Sequence, residues 1–412
     1  MRESPSKRSV FALDALYLIL ADVRGGLGPF LGVFLQARHW SPAEIGIVMT
    51  IGGIAGMVVT TPAGALVDRT RAKRAIVVAT ALLITVASIA ILFWPDFAVV
   101  SGAQVVSGIA GAAVGPAIAA ITLGIVHQAG FAHQLGRNEA FNHSGNVAAA
   151  ALAGASGYFF GLGAIFVILA IMAIFSIAAT LAINPREIDH RAARGAAENK
   201  DDGVAKFAVL LRSKELMILG ATLTLFHLGN AAMLPLLGQA AVAHDGSDPS
   251  ASTAATIISA QATMVPIALL AARLAEEKGY WLVFLLALIA LPIRGATASL
   301  VTGPWGFAPV QILDGVGAGI LGVAVPGLVA RILAGTGHVN AGLGAVMTLQ
   351  GVGAAFSTTV GGLVAQSFGY AAAFLVLGAI AVLALALWLL ARPLMAPACA
   401  NPPDQAEAKL AA

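Results

Sequence analysis

The sequence predicts an all-α polytopic membrane protein of twelve transmembrane helices, arranged as two six-helix pseudo-repeats. Composition is the first observation behind this. The 412 residues are 59% hydrophobic and only 10% charged, with a mean hydropathy of +0.89. A soluble chain averages about 45–50% apolar and about 25% charged, so one water-facing shell cannot cover this much apolar surface. Continuity is the second: runs such as Ala75 to Trp94 are apolar without interruption, whereas membrane barrels alternate apolar and polar residues. Length is the third, because at about 20 apolar residues per crossing the chain has room for roughly ten to twelve spans. Soluble enzymes, disordered chains and disulfide scaffolds are excluded. Cys399 is the single cysteine, which leaves no disulfide framework and no Cys-based zinc or iron–sulfur site.

Apolar runs broken by charge or turn residues place the spans in order. The first, Phe11–Gln36, is too long and too charged inside for a signal peptide. Pro42–Val67 follows it and ends at a basic loop, after which come Ala75–Trp94 and Phe97–Val126. Glu139–Phe160 has a polar entrance, and Ala164–Ile183 closes the first six. The stretch from Pro185 to Lys206 is polar, mixed in sign and free of aromatics, as a solvated connector should be. It divides the chain into an N-terminal half (1–184), a linker (185–206) and a C-terminal half (207–412). Phe207 to Arg212 reads as a short amphipathic turn on the membrane surface. The second half then supplies Leu216–Val242, Ala254–Ala272, Trp281–Leu300, Gly306–Leu333, Leu343–Gln366 and Ala371–Ala391. Beyond Arg392 a proline-containing tail reads as disorder.

Positive residues favour the cytoplasmic side of a membrane. With both termini cytoplasmic, all of the 23 Lys and Arg residues lie inside except Arg24 and Arg294, which fall within spans, and Arg38. The net charge of +3 and the pI near 9.2 therefore reflect topology. Membrane lipid, not nucleic acid, is the expected partner.

The halves echo each other at an offset of about 207 residues. Gln104-Val-Val-Ser-Gly in the fourth span matches Gln311-Ile-Leu-Asp-Gly in the tenth. Pro29-Phe-Leu in the first matches Pro235-Leu-Leu in the seventh, and Arg69 and Arg74 fall opposite Arg273 and Lys278.

Between the second and third spans stands Gly64-Ala-Leu-Val-Asp68-Arg69-Thr-Arg71-Ala-Lys73-Arg74. This resembles the signature cytoplasmic loop of the major facilitator superfamily, with Gly64, Asp68, Arg69, Lys73 and Arg74 matching and Arg71 standing where the family usually has Gly. The location of the loop and the six-plus-six layout extend the likeness over nearly the whole chain. The resemblance implies a secondary transporter in which Asp68 and its cationic neighbours lock the cytoplasmic gate. The alternative is a basic inside loop that only sets topology.

The resemblance also implies that spans one, four, seven and ten line a central cavity. A charge at a span centre costs about 2.5–3.5 kcal/mol on insertion scales, so it should face protein or water. Asp22 and Arg24 sit near the middle of the first span, roughly 200° apart around the helix. Asp22 is a candidate proton site or else an ion-pair partner; Arg24 is a candidate for an anionic substrate or a structural cation. In the tenth span Gln311 and Asp314 share a face. Asp314 is the second proton candidate, and a pair with Arg294 is expected to be structural. Gln104, His227, Asn230 and Gln311 are substrate candidates by hydrogen bonding. Glu139, Asn142, His143 and Asn146 make a polar stripe, read either as part of the cytoplasmic gate or as a solvated helix entrance.

Two departures from the family's drug antiporters stand out. No arginine precedes the Gln104 stretch in the fourth span, and the fifth has Gly154-Ala-Ser-Gly157 in place of a Gly-Pro pair. No phosphate-binding loop, metal-ligand spacing or catalytic triad is present. The expectation is therefore no enzyme activity, no cofactor and no metal. The expected protein is a monomeric proton-coupled carrier of a small molecule, multi-pass in a bacterial inner membrane, working by alternating access. Efflux of drugs or metabolites is the first reading; uptake or exchange of an organic anion or siderophore-like solute is the alternative. A lipid-acting enzyme would need a nucleophile or metal that is absent, and a sensor would need an appended signalling domain.

Overall fold

The computed structural model describes residues 6–21, 23, 27–190, 192–194, 213–243, 248–300, 306–333 and 339–401, with the side chains of 61, 68, 128–133, 135–136 and 339–341 left aside. The described elements are helical throughout. In chain order they are α1 (Lys7–Ala21), α2 (Leu27–Gln36), α3 (Pro42–Arg69), α4 (Lys73–Phe93), α5 (Phe97–Phe160), α6 (Gly163–Ala182) and α7 (Lys214–Asn230). Then come α8 (Met233–Ala243), α9 (Pro249–Lys278), α10 (Tyr280–Leu300), α11 (Phe307–Ile332), α12 (Val339–Phe368), α13 (Tyr370–Leu390) and α14 (Arg392–Cys399). Ten stretches among the described residues are long and apolar enough to cross a membrane, and Leu27–Gln36 is a shorter apolar helix.

Several boundaries depart from the sequence expectation. The first expected span corresponds to α1 and α2. The fourth and fifth merge into the 64-residue α5, which kinks at His127, where φ is +54°. That left-handed conformation is uncommon for a residue with a side chain and breaks the helix into two arms. The seventh span divides at Ala231. The tail is the clearest correction: residues 392–399 form a helix with Met395 and Cys399 buried. Arg331 donates to the Cys399, Ala400 and Asn401 oxygens at 3.0, 2.7 and 3.2 Å. Proline suggested disorder there, but Pro393 lies in the first turn of the helix, where its missing N–H costs nothing. Phe207 to Arg212 lies outside the described residues.

The chain divides into two compact units. Unit one is Met1–Lys200 with Gly238–Ile258, and unit two is Asp201–Leu237 with Ser259–Ala412. Helix starts follow local chemistry: Ser41 and Glu44 form a reciprocal capping box at α3 with Pro42 in the first turn, and Asp96 accepts from Ala98 and Val99 at α5. In unit one α3, α4 and α1 pack on α5 around Leu13, Leu16, Leu20, Ile118 and Ile121. In unit two α7 packs on α12 and α10 on α13, where Trp388 stacks between Trp281 and Phe284 at 5.0 and 4.8 Å.

The pseudo-repeat is visible in the close approaches. A Cβ on Gly108 of α5 would strike the Gly52 carbonyl of α3, and one on Gly315 of α11 would lie 2.6 Å from the Ala260 carbonyl of α9. Likewise Gly145 abuts the Leu18 carbonyl and Gly353 the Thr224 carbonyl. The α5–α6 and α12–α13 turns use Gly161 and Gly369, at φ +82° and +85°, a conformation that glycine adopts without a Cβ penalty. The glycines of each pair lie 207 or 208 residues apart, close to the offset of the sequence echoes.

Candidate functional site

Unit two encloses a polar cluster on four helices. Arg294, on α10, is 1% exposed, and its Nη1 lies 2.8 Å from Asp314 Oδ1 on α11. The same Nη1 donates to Asn230 Oδ1 on α7, and Nη2 donates to Gln311 Oε1 at 2.9 Å. Asn230 Nδ2 reaches Asp314 Oδ1 at a long 3.4 Å. On the adjoining turn of α7 the Gln350 amide of α12 donates to His227 Nε2 at 2.9 Å.

The cluster forms because α11 carries Gln311 and Asp314 three residues apart on one face while α10 brings Arg294 to the same level. A buried guanidinium needs its charge neutralised and its fork filled. Asp314 supplies the charge, and Asp314, Asn230 and Gln311 occupy the two Nη groups. Two buried donors, Arg294 Nε and Gln311 Nε2, have no acceptor among the described residues. Asp314 is the most open member of the charged pair, its side chain 18% exposed.

Unit one holds a cavity of about 310 Å³, lined by Leu27, Leu31, Met49 and Ile84 with Ser88, Gln104 and Ser107 as polar side chains. Gln104 thus faces open space, whereas its repeat partner Gln311 is spent on Arg294.

The remaining expected residues are placed as follows. Asp22 and Arg24 lie outside the described residues. Gly64 is half-buried and Arg69 exposed near the end of α3; Asp68 is on the same helix. Lys73 is fully buried, and its ammonium donates to the Val67 and Thr70 carbonyls at 2.6 and 2.9 Å, stitching the loop to the end of α3. Arg74 donates to the Thr180 and Leu181 carbonyls of α6 at 3.0 and 2.7 Å. Glu139 is exposed, and Asn142, His143 and Asn146 are half-buried along α5.

Sequence reasoning missed a second cluster one turn before that stripe. Asp14 on α1 is 2% exposed; its Oδ2 lies 2.6 Å from Arg137 Nη2, and its Oδ1 accepts from Gln134 at 2.9 Å. Gln134 also donates to Asn138, which donates to Thr122. An acidic residue within an apolar run was the available signal. Among the described residues no group of three His, Cys, Asp or Glu side chains could hold a metal.

The sequence model of the Major Facilitator Superfamily matches residues 13–308 and again 219–412. Uncharacterized MFS-type transporters of Mycobacterium tuberculosis, from strains CDC 1551 / Oshkosh and ATCC 25618 / H37Rv, are each 46% identical over 386 residues, covering 93% of this chain and 92% of their own. Among solved structures, a mutant of the nucleoside transporter NupG superposes with a TM-score of 0.78 at 14% identity, covering 92% of this chain and 99% of that one. A POT family transporter in complex with a thioalcohol-conjugated peptide superposes with a TM-score of 0.76 at 11% identity, covering 94% and 96%. At such identities these likenesses show the fold.

Proposed function

The chain belongs to the major facilitator superfamily, and from that premise we propose that it is a proton-coupled exporter of drug- or metabolite-sized molecules. It is a multi-pass membrane transporter and not an enzyme. The observation that carries the coupling is the Arg294–Asp314 pair: the arginine is buried and permanently charged, and its counter-ion is the partly open member. Arginine keeps its proton in proteins, so only the carboxylate can switch. When Asp314 takes a proton, Arg294 loses its neutralising charge and its surroundings must rearrange or admit another anion. That is the kind of two-state element on which alternating access depends.

In this reading the two six-helix halves, 1–184 and 207–412, are joined by the linker 185–206, and both termini are cytoplasmic. Asp314 carries the proton, with Asp22 as its candidate partner in the first half. Gln104 in the unit-one cavity and His227 and Asn230 beside the cluster contact substrate, and Gln311 joins them once the cluster rearranges. Gly64, Asp68, Arg69, Lys73 and Arg74, with Glu139, Asn142 and His143, form the cytoplasmic gate. The cavity's apolar side chains, joined by Ser88, Gln104 and Ser107, support an amphipathic cargo. The nucleoside and peptide named for the structural relatives are alternatives to it.

A second reading has its own observation. Arg294 Nε and Gln311 Nε2 are donors without acceptors among the described residues, and once Asp314 is protonated they could serve an organic anion, with Arg24 as a further cation. Reconstitution in liposomes tests the proposal. Asp314→Asn should abolish transport driven by a pH gradient while leaving exchange at equal pH on both sides. Uphill transport that persists in the variant overturns the proton role. Stimulation by organic anions in place of lipophilic compounds moves the assignment to the second reading.

A further inference from the structure

A trough of about 520 Å³ lies on unit one between the start of α4 and the end of α6. Its walls are apolar: Val78 and Leu82 stand one turn apart on α4, facing Leu181 at the end of α6. Leu82 and Leu181 are 50% and 58% exposed. Its mouth is basic, formed by Arg71, Arg74 and His190. The bonds from Arg74 to the Thr180 and Leu181 carbonyls hold the guanidinium at the rim, so its charge is fixed in place. Arg71 is exposed beside it.

Level and chemistry point to one kind of occupant. The basic mouth coincides with the ends of two apolar spans, Lys73–Phe93 and Gly163–Ala182, where hydrocarbon gives way to headgroups. In the orientation proposed above, this end faces the cytoplasmic leaflet. A soluble anion would use the arginines and leave the apolar walls bare. A zwitterionic lipid would fill the walls without a net charge to match the mouth. We propose that this trough is a binding site for an anionic phospholipid, its phosphate facing Arg71 and Arg74 and one acyl chain lying along Val78, Leu82 and Leu181. Basic pockets between spans are recognised by anionic headgroups on the same physical grounds. The site shares Arg74 with the candidate gate but is separate from the candidate proton and substrate residues, and its occupancy would clamp α4 to α6.

Native mass spectrometry of the full chain in mild detergent tests this, using phosphatidylglycerol and phosphatidylcholine with identical acyl chains. Phosphatidylglycerol should be retained in preference. Arg71→Gln should weaken its retention about fivefold, the effect of one surface cation. Ala79→Trp, which fills the trough without altering charge, should weaken it as well. Melting curves of both variants in lipid-free detergent verify that they are folded. An excess of glycerol 3-phosphate should not displace the bound lipid. Equal retention of the two lipids, or wild-type retention of phosphatidylglycerol in both folded variants, overturns the proposal. Displacement by glycerol 3-phosphate also overturns it, because the site would then read only a phosphate.

Discussion

Unit one and unit two each bury an ion pair, with the roles of acid and base exchanged. In unit one the acid is inside: Asp14 is 2% exposed and Arg137 is 47% exposed. In unit two the base is inside: Arg294 is 1% exposed and Asp314 is 18% exposed. Neither sign of charge is comfortable in an apolar medium, but only the carboxylate can shed its charge by taking a proton. The unit-one pair therefore shields the carboxylate and exposes the guanidinium, whereas the unit-two pair shields the guanidinium and leaves the carboxylate the more open member. Two similar bonds on a repeated scaffold thus bury opposite signs of charge, and the proton coupling proposed above rests on the second.

The largest expected effect tests the buried member of unit two. Arg294→Gln removes the only positive charge of the cluster and should cost about 3–5 kcal/mol, as breaking a buried pair does. Thermal unfolding in detergent measures it, and a wild-type melting temperature would mean that Arg294 is not structurally committed. Next, Asp14→Asn should cost about 1–3 kcal/mol through disturbed buried hydrogen bonds and slow transport while leaving it coupled to pH. Loss of gradient-driven uptake into liposomes by a well-folded Asp14→Asn protein would transfer the coupling role to unit one. A comparable change is expected from Arg137→Gln, which leaves the buried Asp14 carboxylate without its counter-charge although the Gln134 amide still donates to it. Its cost should be about 1–3 kcal/mol, readable as a fall in melting temperature, and a loss as large as that of Arg294→Gln would erase the contrast between the units.

The smallest effect concerns Glu187, which accepts from Ser6 at 3.1 and 2.8 Å and ties the beginning of the chain to the turn after α6. Burial pushes its carboxyl up, but the hydrogen bonds from Ser6, Ser9 and Asn184 outweigh that and hold it below its ordinary 4.5. This contribution to stability is present above the unfolded pKa and is lost as pH falls through the lower folded value. Glu187→Gln should therefore flatten the acid limb of a melting-temperature profile while changing little at neutral pH.

Much of the fold was legible because a span is a local property: about 20 apolar residues suffice to recognise one, and a charged loop to end it. The Arg294–Asp314 pair was also legible, since two opposite charges at similar depth in neighbouring spans have few other partners. Recruitment of Asn230 and Gln311 to the same guanidinium was not, because a helix that is apolar all round has no periodicity to orient it. Asp14 was passed over because Arg137, Gln134 and Asn138 lie in a polar stretch read as a loop, whereas the second arm of α5 carries them as helix. The docked tail was hidden for a different reason. Its hold comes from Arg331, packed over Tyr280 at 4.5 Å, and from Asn401 donating to the Glu276 carbonyl at 2.8 Å. Both are long-range contacts that tail composition cannot announce.

That docked tail has a practical consequence. Cys399 is the only cysteine in the chain; it is 1% exposed, and burial pushes its thiol up to about 12. Maleimides and methanethiosulfonates react with the thiolate, so the native cysteine should stay silent to both reagents. Single cysteines can then be introduced on opposite units and spin- or dye-labelled in the otherwise wild-type protein, and distances between them followed while pH and cargo are varied.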